Sequence, residues 1–497
     1  MRQRPLLALL LLLLPCPLLA VEPPPATAPA LPALGHWEGV IQVPGIELRV
    51  LIDLSQKDKA LAGTIDIPQQ GAKGLPLDAV ALPAEAEGKV HFAIRGVPGA
   101  PTFDGTFAGS EIKGTFSQGG QSFPFHLGRE VVPPPARPQE PKPPFPYTAE
   151  EVHYENNGIR LAGTLTLPPG DGPFPAVLLL TGSGAQNRDE EIFGHKPFLV
   201  LADHLTRAGI AVLRMDDRGV GGSTGSVARS TTADFADDAL AGVQFLKTHP
   251  HIAPHRIGLL GHSEGGIIAP LAATRSRDVA FVILLAGTGV PGSQVILDQG
   301  ARIARVEGAT EEKIRQQREG QKKVFELMLT EKDPTALRTK IRDLLRAQIA
   351  ALPETERKAL GDNLDLAVDR QVAQALTPWF RYFIAYDPRP ALTQLKVPVL
   401  ALNGAKDLQV SPDLNLPAIA TALKTAKNRD VTLRRLPGLN HLFQHAATGD
   451  IAEYAKSEET ISPEVLDLVT KWILVRFGKG ARGILGKAPI DAPPRLH

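Results

Sequence analysis

One cysteine, Cys16, is present among 497 residues. It lies in an N-terminal segment that reads as a removable leader, so the remaining chain has no thiol at all. Disulfides and cysteine metal ligands are thereby excluded, and the fold must stand on its hydrophobic cores. An excess of charge is also missing: 54 Lys plus Arg face 53 Asp plus Glu, which leaves no field to gather nucleic acid or an acidic membrane surface. Small neutral partners are the expectation. Beyond the first twenty residues there is no run approaching the roughly twenty apolar residues of a membrane helix, so no transmembrane span is expected. Tryptophan and tyrosine are scarce, three and five, and Trp379, Tyr382 and Tyr386 crowd into the single stretch "TPWFRYFIAYDP".

The start, "MRQRPLLALLLLLLPCPLLA", has Arg2 and Arg4, an apolar run from Leu6 to Leu14 and a proline-broken end at Ala20. This is the pattern of a secretory signal over residues 1–20, and a soluble protein outside the cytoplasm is expected, secreted or periplasmic. Lipidation of Cys16 is the less favoured reading, because Pro15 stands where such signals carry a small residue. The length favours two or three domains. A proline-rich tether follows over 21–34.

Over 35–130 apolar residues alternate, as in Leu48, Val50, Ile52, Leu54 and again in Val90, Phe92, Ile94. Glycine and aspartate turns recur and no helical period intervenes, so an antiparallel barrel or sandwich of about eight strands is expected. Residues 131–147, "VVPPPARPQEPKPPFPY", hold eight prolines and read as a stiff linker that spaces two domains apart. From 148 to 480 continuous apolar runs ("AVLLL", "IAVLR", "RIGLL", "AFVILL", "VPVLAL") alternate with helix-length segments such as 197–208 and 232–247. Strands buried on both faces look like this, and the fold class is α/β with a mostly parallel sheet and flanking helices. Between about 290 and 395 the alternation stops, and helical spacing of Ile341, Leu344, Leu345 and Ile349 marks a helical cap. Residues 481–497 read as a tail.

Two stretches match a glycine-serine-glycine elbow, "GHSEG" around Ser263 and "GGSTG" around Ser223. An elbow needs a strand running into it and a helix leaving it, because that reversal lifts the hydroxyl out at the sheet edge. Ser263 follows the strand Ile257–Leu260 and precedes "GGIIAPLAA". Ser223 has neither neighbour and reads as a turn residue. A serine nucleophile needs a base to take its proton and a carboxylate to hold that base's tautomer. Asp407 falls just after the strand 397–402 and His441 just after 431–436, in the chain order expected of this architecture. Asp413, which reads as a helix cap, and His445, deeper in the next segment, are the rivals.

Taken together, "LLTGSGAQNRDE", "RMDDRGVGGSTG", "LLGHSEGG", "PWFRYFIAYDPRPAL", "LALNGAKDLQV" and "LPGLNHLFQ" resemble the α/β-hydrolase superfamily over about 152–477. The nearest group is that of secreted bacterial serine esterases with an N-terminal β domain and a helical cap. The resemblance implies Ser263, Asp407 and His441 as the catalytic triad. Many members carry a histidine before the glycine that follows the first buried strand, whereas Thr181 stands here. An oxyanion hole uses backbone N–H groups, so the amides of Ser183 and Glu264 are its candidates. The carboxylate of Glu264 either meets a substrate amine or, as the favoured reading, pairs with an arginine such as Arg188.

"DDRG" at 216–219 reads as a turn supporting neighbouring loops. His249, His251 and His255 lack a carboxylate to complete a metal set and lie in a loop remote from the elbow, so no metal and no cofactor is expected. Trp379, Phe380, Tyr382 and Phe383 either pack a core or line an acyl pocket. The reading is a serine hydrolase acting on a small-molecule carboxylic ester, of short to medium acyl chain, through an acyl-enzyme. A peptidase recognising a free amino terminus, and a non-catalytic binding protein on a hydrolase scaffold, are the alternatives. Serine at the elbow excludes dehalogenase chemistry, which needs an acidic nucleophile.

Overall fold

Period-two alternation in the first part of the chain becomes eight strands: β1 (Gly35–Val43), β2 (Ile46–Lys57), β3 (Ala60–Ile67), β4 (Ala72–Ala81), β5 (Glu87–Ile94), β6 (Thr102–Ala108), β7 (Glu111–Gln118) and β8 (Gln121–Gly128). Each pairs antiparallel with the next, and β8 returns to β1 through Glu38↔Gly128 to Ile41↔Phe125, so the sheet closes into a barrel and not a sandwich. Closure removes the exposed edges that an open sheet would present. Inward side chains fill the lumen: Trp37, Phe92, Phe103 and Phe107 are buried, and Phe92 stacks on Phe103 at 4.7 Å between ring centroids. The structure, a computed structural model, describes residues 31–478 apart from 44–45, 58–59, 69–71, 86, 98, 120, 130–134, 353, 355–356 and 358–363. The leader, the first part of the tether and the tail expected from the sequence lie outside the described residues.

The second sheet comprises β9 (Thr148–Asn156), β10 (Ile159–Leu167), β11 (Phe174–Leu180), β12 (Ala211–Met215), β13 (Ile252–His262), β14 (Phe281–Leu285), β15 (Val399–Gly404) and β16 (Val431–Leu436). Its order is β16-β15-β14-β13-β11-β12-β10-β9, antiparallel at β9 and β10 and parallel from β12 to β16. In chain order the helices are α1 (Pro197–Arg207), α2 (Thr232–Thr248), α3 (Gly265–Ala273), α4 (Gly292–Val306), α5 (Glu311–Thr330), α6 (Pro334–Ala350), α7 (Leu364–Ala375), α8 (Pro378–Ala385), α9 (Arg389–Leu392), α10 (Pro412–Thr425) and α11 (Pro463–Phe477). Alternate residues of β11 serve two cores. Ala176, Leu178 and Leu180 pack with α2, α3 and α10, while Val177 and Leu179 pack with α1 and α11. That double burial is why these strands read as unbroken apolar runs. Among the described residues no helix is long and apolar enough to cross a membrane.

Helices α4 to α8 form the cap between β14 and β15, with a core of its own that includes Ile296, Phe325, Ile341, Val372 and Phe383. Ile267 of α3 joins this core, which seats the cap over the end of β13. The proline-rich linker, expected to be stiff and to space two domains apart, also carries side-chain contacts to the α/β domain. Arg137 donates to the carbonyls of Gly194 (3.0 Å), Ala455 (3.0 Å) and Ser457 (2.6 Å), and Gln139 donates to the Ile461 carbonyl (2.6 Å) while accepting from the Thr460 amide (2.6 Å). The linker is thus tied to the α/β domain at Arg137 and Gln139, whose long polar side chains find backbone partners there.

Candidate active site

Strand β13 ends at His262 and α3 begins at Gly265, so the chain reverses within two residues. Ser263 takes φ = 52°, a left-handed conformation that costs a non-glycine residue about 1–3 kcal/mol and is retained where surrounding contacts over-determine it. Its amide donates to the Leu285 carbonyl at 2.9 Å and its carbonyl accepts from the Gly266 amide at 2.9 Å. The reversal needs glycine on both sides: a Cβ at Gly261 would lie 1.9 Å from the Gly265 carbonyl oxygen, and one at Gly265 would lie 2.1 Å from that of Leu180. Ser223, by contrast, is a buried turn residue whose hydroxyl donates to the Asp216 carbonyl and accepts from the Ala162 amide.

Asp407 and His441 are brought together from the loops after β15 and β16. Asp407 Oδ2 accepts from His441 Nδ1 at 2.8 Å, and Oδ1 accepts the amides of Gln409 and Val410, each at 2.8 Å. Both side chains are buried. With Nδ1–H committed to Asp407, the neutral imidazole carries its lone pair on Nε2. His441 Nε2 and Ser263 Oγ have no hydrogen-bond partner among the described residues, and the two are not bonded to each other. The rivals lie elsewhere: Asp413 is half exposed and paired with Arg302 and Arg435, and His445 is exposed and paired with Glu459. His249, His251 and His255 lie at the opposite end of β13 from Ser263.

The loop after β11 passes beside the elbow, where a Cβ at Gly182 would stand 3.4 Å from that of Ser263. Two acids of "DDRG" hold this loop. Asp217 accepts from the Thr181 hydroxyl and the Gln186 amide, each at 2.9 Å, and Asp216 accepts from the Arg188 amide at 2.8 Å and from its guanidinium at 2.7 Å. Thr181 thus ties the loop down through its hydroxyl. Burial drives the Asp217 carboxyl well above its usual range, against those two hydrogen bonds. The amides of Ser183 and Glu264 donate to no acceptor among the described residues.

The expected Glu264–Arg188 pair is not formed. Arg188 is taken by Asp216 and Glu151, whereas Glu264 accepts from the Thr232 hydroxyl at 2.7 Å and, at both oxygens, from the Trp379 indole at 2.8 Å. Burial pushes the Glu264 carboxyl up to about 7 in spite of these donors. Of the aromatic candidates, Phe380 and Phe383 are buried in the cap core. Phe383 stacks on Trp379 at 5.4 Å, and Tyr382 is half-buried and stacks on Tyr386 at 5.5 Å. Trp379 is hydrogen-bonded to the elbow through Glu264.

Two residues went unassigned in the sequence reading. Glu190 Oε1 accepts from the Gly182 amide at 2.7 Å and from His262 Nδ1 at 3.0 Å, and His262 Nε2 donates to the His441 carbonyl at 3.0 Å. Burial disfavours charge on His262, but the adjacent Glu190 carboxylate and the two acceptors outweigh it, and its pKa stands above the ordinary value.

The sequence model described as serine aminopeptidase, S33 matches residues 196–347. The esterase EstD of Thermotoga maritima is 26% identical over 341 residues, 66% of this chain and 68% of that protein. The mitochondrial acyl-coenzyme A thioesterase 2 of Mus musculus is 28% identical over 131 residues, 26% of this chain and 25% of its own length. Among solved structures, the Pyrococcus furiosus esterase Pf2001 superposes with a TM-score of 0.40 at 16% identity, covering 67% of this chain and 93% of that one.

Proposed function

We propose that the chain, an α/β-hydrolase by fold, cleaves carboxylic esters through an acyl-enzyme on Ser263. The observation that carries this reading is the buried Asp407–His441 hydrogen bond at 2.8 Å, together with a strained elbow serine and two unpartnered amides beside it. Ser263 Oγ attacks the ester carbonyl carbon while His441 Nε2 takes its proton. The tetrahedral oxyanion accepts from the amides of Ser183 and Glu264. The C–O bond then breaks, and His441 returns the proton to the leaving alcohol. Water repeats the sequence on the acyl-enzyme, releasing the acid and restoring the Ser263 hydroxyl. The similarity to an esterase over two thirds of the chain supports the same class of substrate.

Short to medium acyl chains are the proposed substrates, because the aromatic cap helix α8 hydrogen-bonds through Trp379 to the residue following Ser263. A peptidase reading is less well supported. An amino terminus seeking Glu264 would have to displace both Trp379 and Thr232 from its carboxylate. Export by the N-terminal leader is part of the proposal, and the mass of the mature protein recovered from the extracellular or periplasmic fraction tests it.

Turnover of p-nitrophenyl butyrate tests the reaction. The full-chain protein should be active and labelled by a fluorophosphonate, and Ser263→Ala should lose both. Retained activity in Ser263→Ala would sink the mechanism. Faster turnover of long-chain than of butyryl esters would sink the acyl preference.

A further inference from the structure

We infer that Glu190 and His262 are positioning residues, which hold the oxyanion loop and the base-bearing loop in register with the nucleophile. The inference rests on the triad proposed above. Three segments distant in sequence meet at this pair: Gly182 in the loop after β11, His262 at the end of β13, and His441 in the loop after β16. They are the same segments that supply the Ser183 amide, Ser263 and the His441 ring. Each bond fixes a backbone position next to a working group. The Gly182 amide is one residue from that of Ser183, His262 adjoins Ser263, and the His441 carbonyl belongs to the base itself.

Stability does not account for the arrangement. Glu190 takes φ = 51°, in the left-handed region that disfavours a side chain, and its Oε2 is buried without a hydrogen-bond partner among the described residues. A buried ion pair is often no more stabilising than well-packed apolar residues of the same volume. Backbone strain and an unsatisfied polar atom, retained together beside the elbow, are features that gather where geometry is under functional demand. With acceptors at both ring nitrogens, His262 carries two N–H groups and has no lone pair to offer a substrate proton. It therefore acts through the groups it holds and is not itself the base.

Full-chain Glu190→Gln, His262→Gln and Ser263→Ala should be compared with Asp238→Asn, which disturbs a buried pair with Arg218 outside the site. The readouts are kcat and KM on p-nitrophenyl butyrate, each corrected for the folded fraction. Glu190→Gln and His262→Gln should lower kcat by about 10- to 100-fold, the scale of losses from slight misplacement of reacting groups, with KM changed less than about threefold. Asp238→Asn should keep kcat within about twofold. Either positioning variant suffices if the other does not fold. Failure of both to fold would make the pair structural and overturn the inference. So would unchanged kcat per folded molecule in both, with Ser263→Ala inactive. Full activity in Ser263→Ala would instead bring down the triad on which the inference stands.

Discussion

Trp379 of the cap donates its indole N–H to both carboxylate oxygens of Glu264, the residue that follows Ser263, at 2.8 Å each. The cap and the turn at Ser263 are therefore joined by a hydrogen bond to a buried acid whose own burial disfavours its charge. Trp379→Phe keeps an aromatic ring at this position and deletes the donor. At pH 8, with Glu264 ionised, the loss should be about 1.5–3 kcal/mol of stability, the scale of hydrogen bonds to charged groups. At pH 5 the acceptor is neutral and the loss should be about half as large. Thermal unfolding of both proteins at the two pH values checks this. An equal loss at both would show that the bond does not sense the charge of Glu264.

The same acid makes stability depend on pH. The Glu264 carboxyl stands at about 7 when folded, above its ordinary value of 4.5. For an acid raised in the folded state, the folded protein holds the proton more tightly, so the associated stability is fully present below the unfolded pKa and is lost as pH rises through the folded one. Glu264→Gln has no proton to lose. Its melting temperature relative to the parent should rise between pH 4.5 and 8, by an amount corresponding to a few kcal/mol at about 1.4 kcal/mol per pKa unit. A difference that stays flat over that window would place Glu264 in a wetter environment than the structure does.

Much of the fold was legible because burial on both faces writes itself into composition. The runs at 176–180, 210–213 and 257–260 are apolar throughout because α1 and α11 cover one side of the sheet and α2, α3 and α10 the other. β9, "TAEEVHYEN", has one partner strand and a polar outer face, so nothing in its composition marks it as part of that sheet. Asp407 and His441 stood out because each follows a strand, the buried β15 and the half-buried edge strand β16. Glu190 did not: it sits in "NRDEE" between Asp189 and Glu191, and only tertiary structure turns one of three adjacent acids inward. Arg188 failed as an expectation for the same reason. Charge alone does not distinguish Glu264 from Asp216 and Glu151, which lie 28 and 37 residues from Arg188 along the chain, nearer than Glu264, and are the partners it has.

Asp407→Asn separates orientation from proton transfer. The amide keeps the size of the carboxylate, but it offers an N–H where His441 presents one, so the imidazole is driven toward the tautomer with its proton on Nε2. That form cannot accept from Ser263. On the scale known for this substitution in serine hydrolases, kcat should fall by about 10⁴-fold with KM little changed. A loss below about tenfold, measured on the same butyrate ester, would mean that another group orients the ring.

The docked linker offers a test of what the proline-rich segment does. Arg137 is half-buried and donates to carbonyls in two separate loops, around residues 193–194 and 455–457, and burial lowers its pKa from the usual guanidinium value. The second of these loops carries Tyr454, whose hydroxyl accepts from the Gln409 side chain, two residues from Asp407. Arg137→Ala leaves part-buried carbonyls without this donor, and each such loss costs on the order of 1 kcal/mol before water intervenes. The α/β domain should therefore melt several degrees lower, with kcat at 25 °C within about twofold of the parent, since the Asp407–His441 hydrogen bond is untouched. A free spacer would tolerate the change without any shift in melting temperature, and that outcome would return the segment to the role its proline content alone suggests.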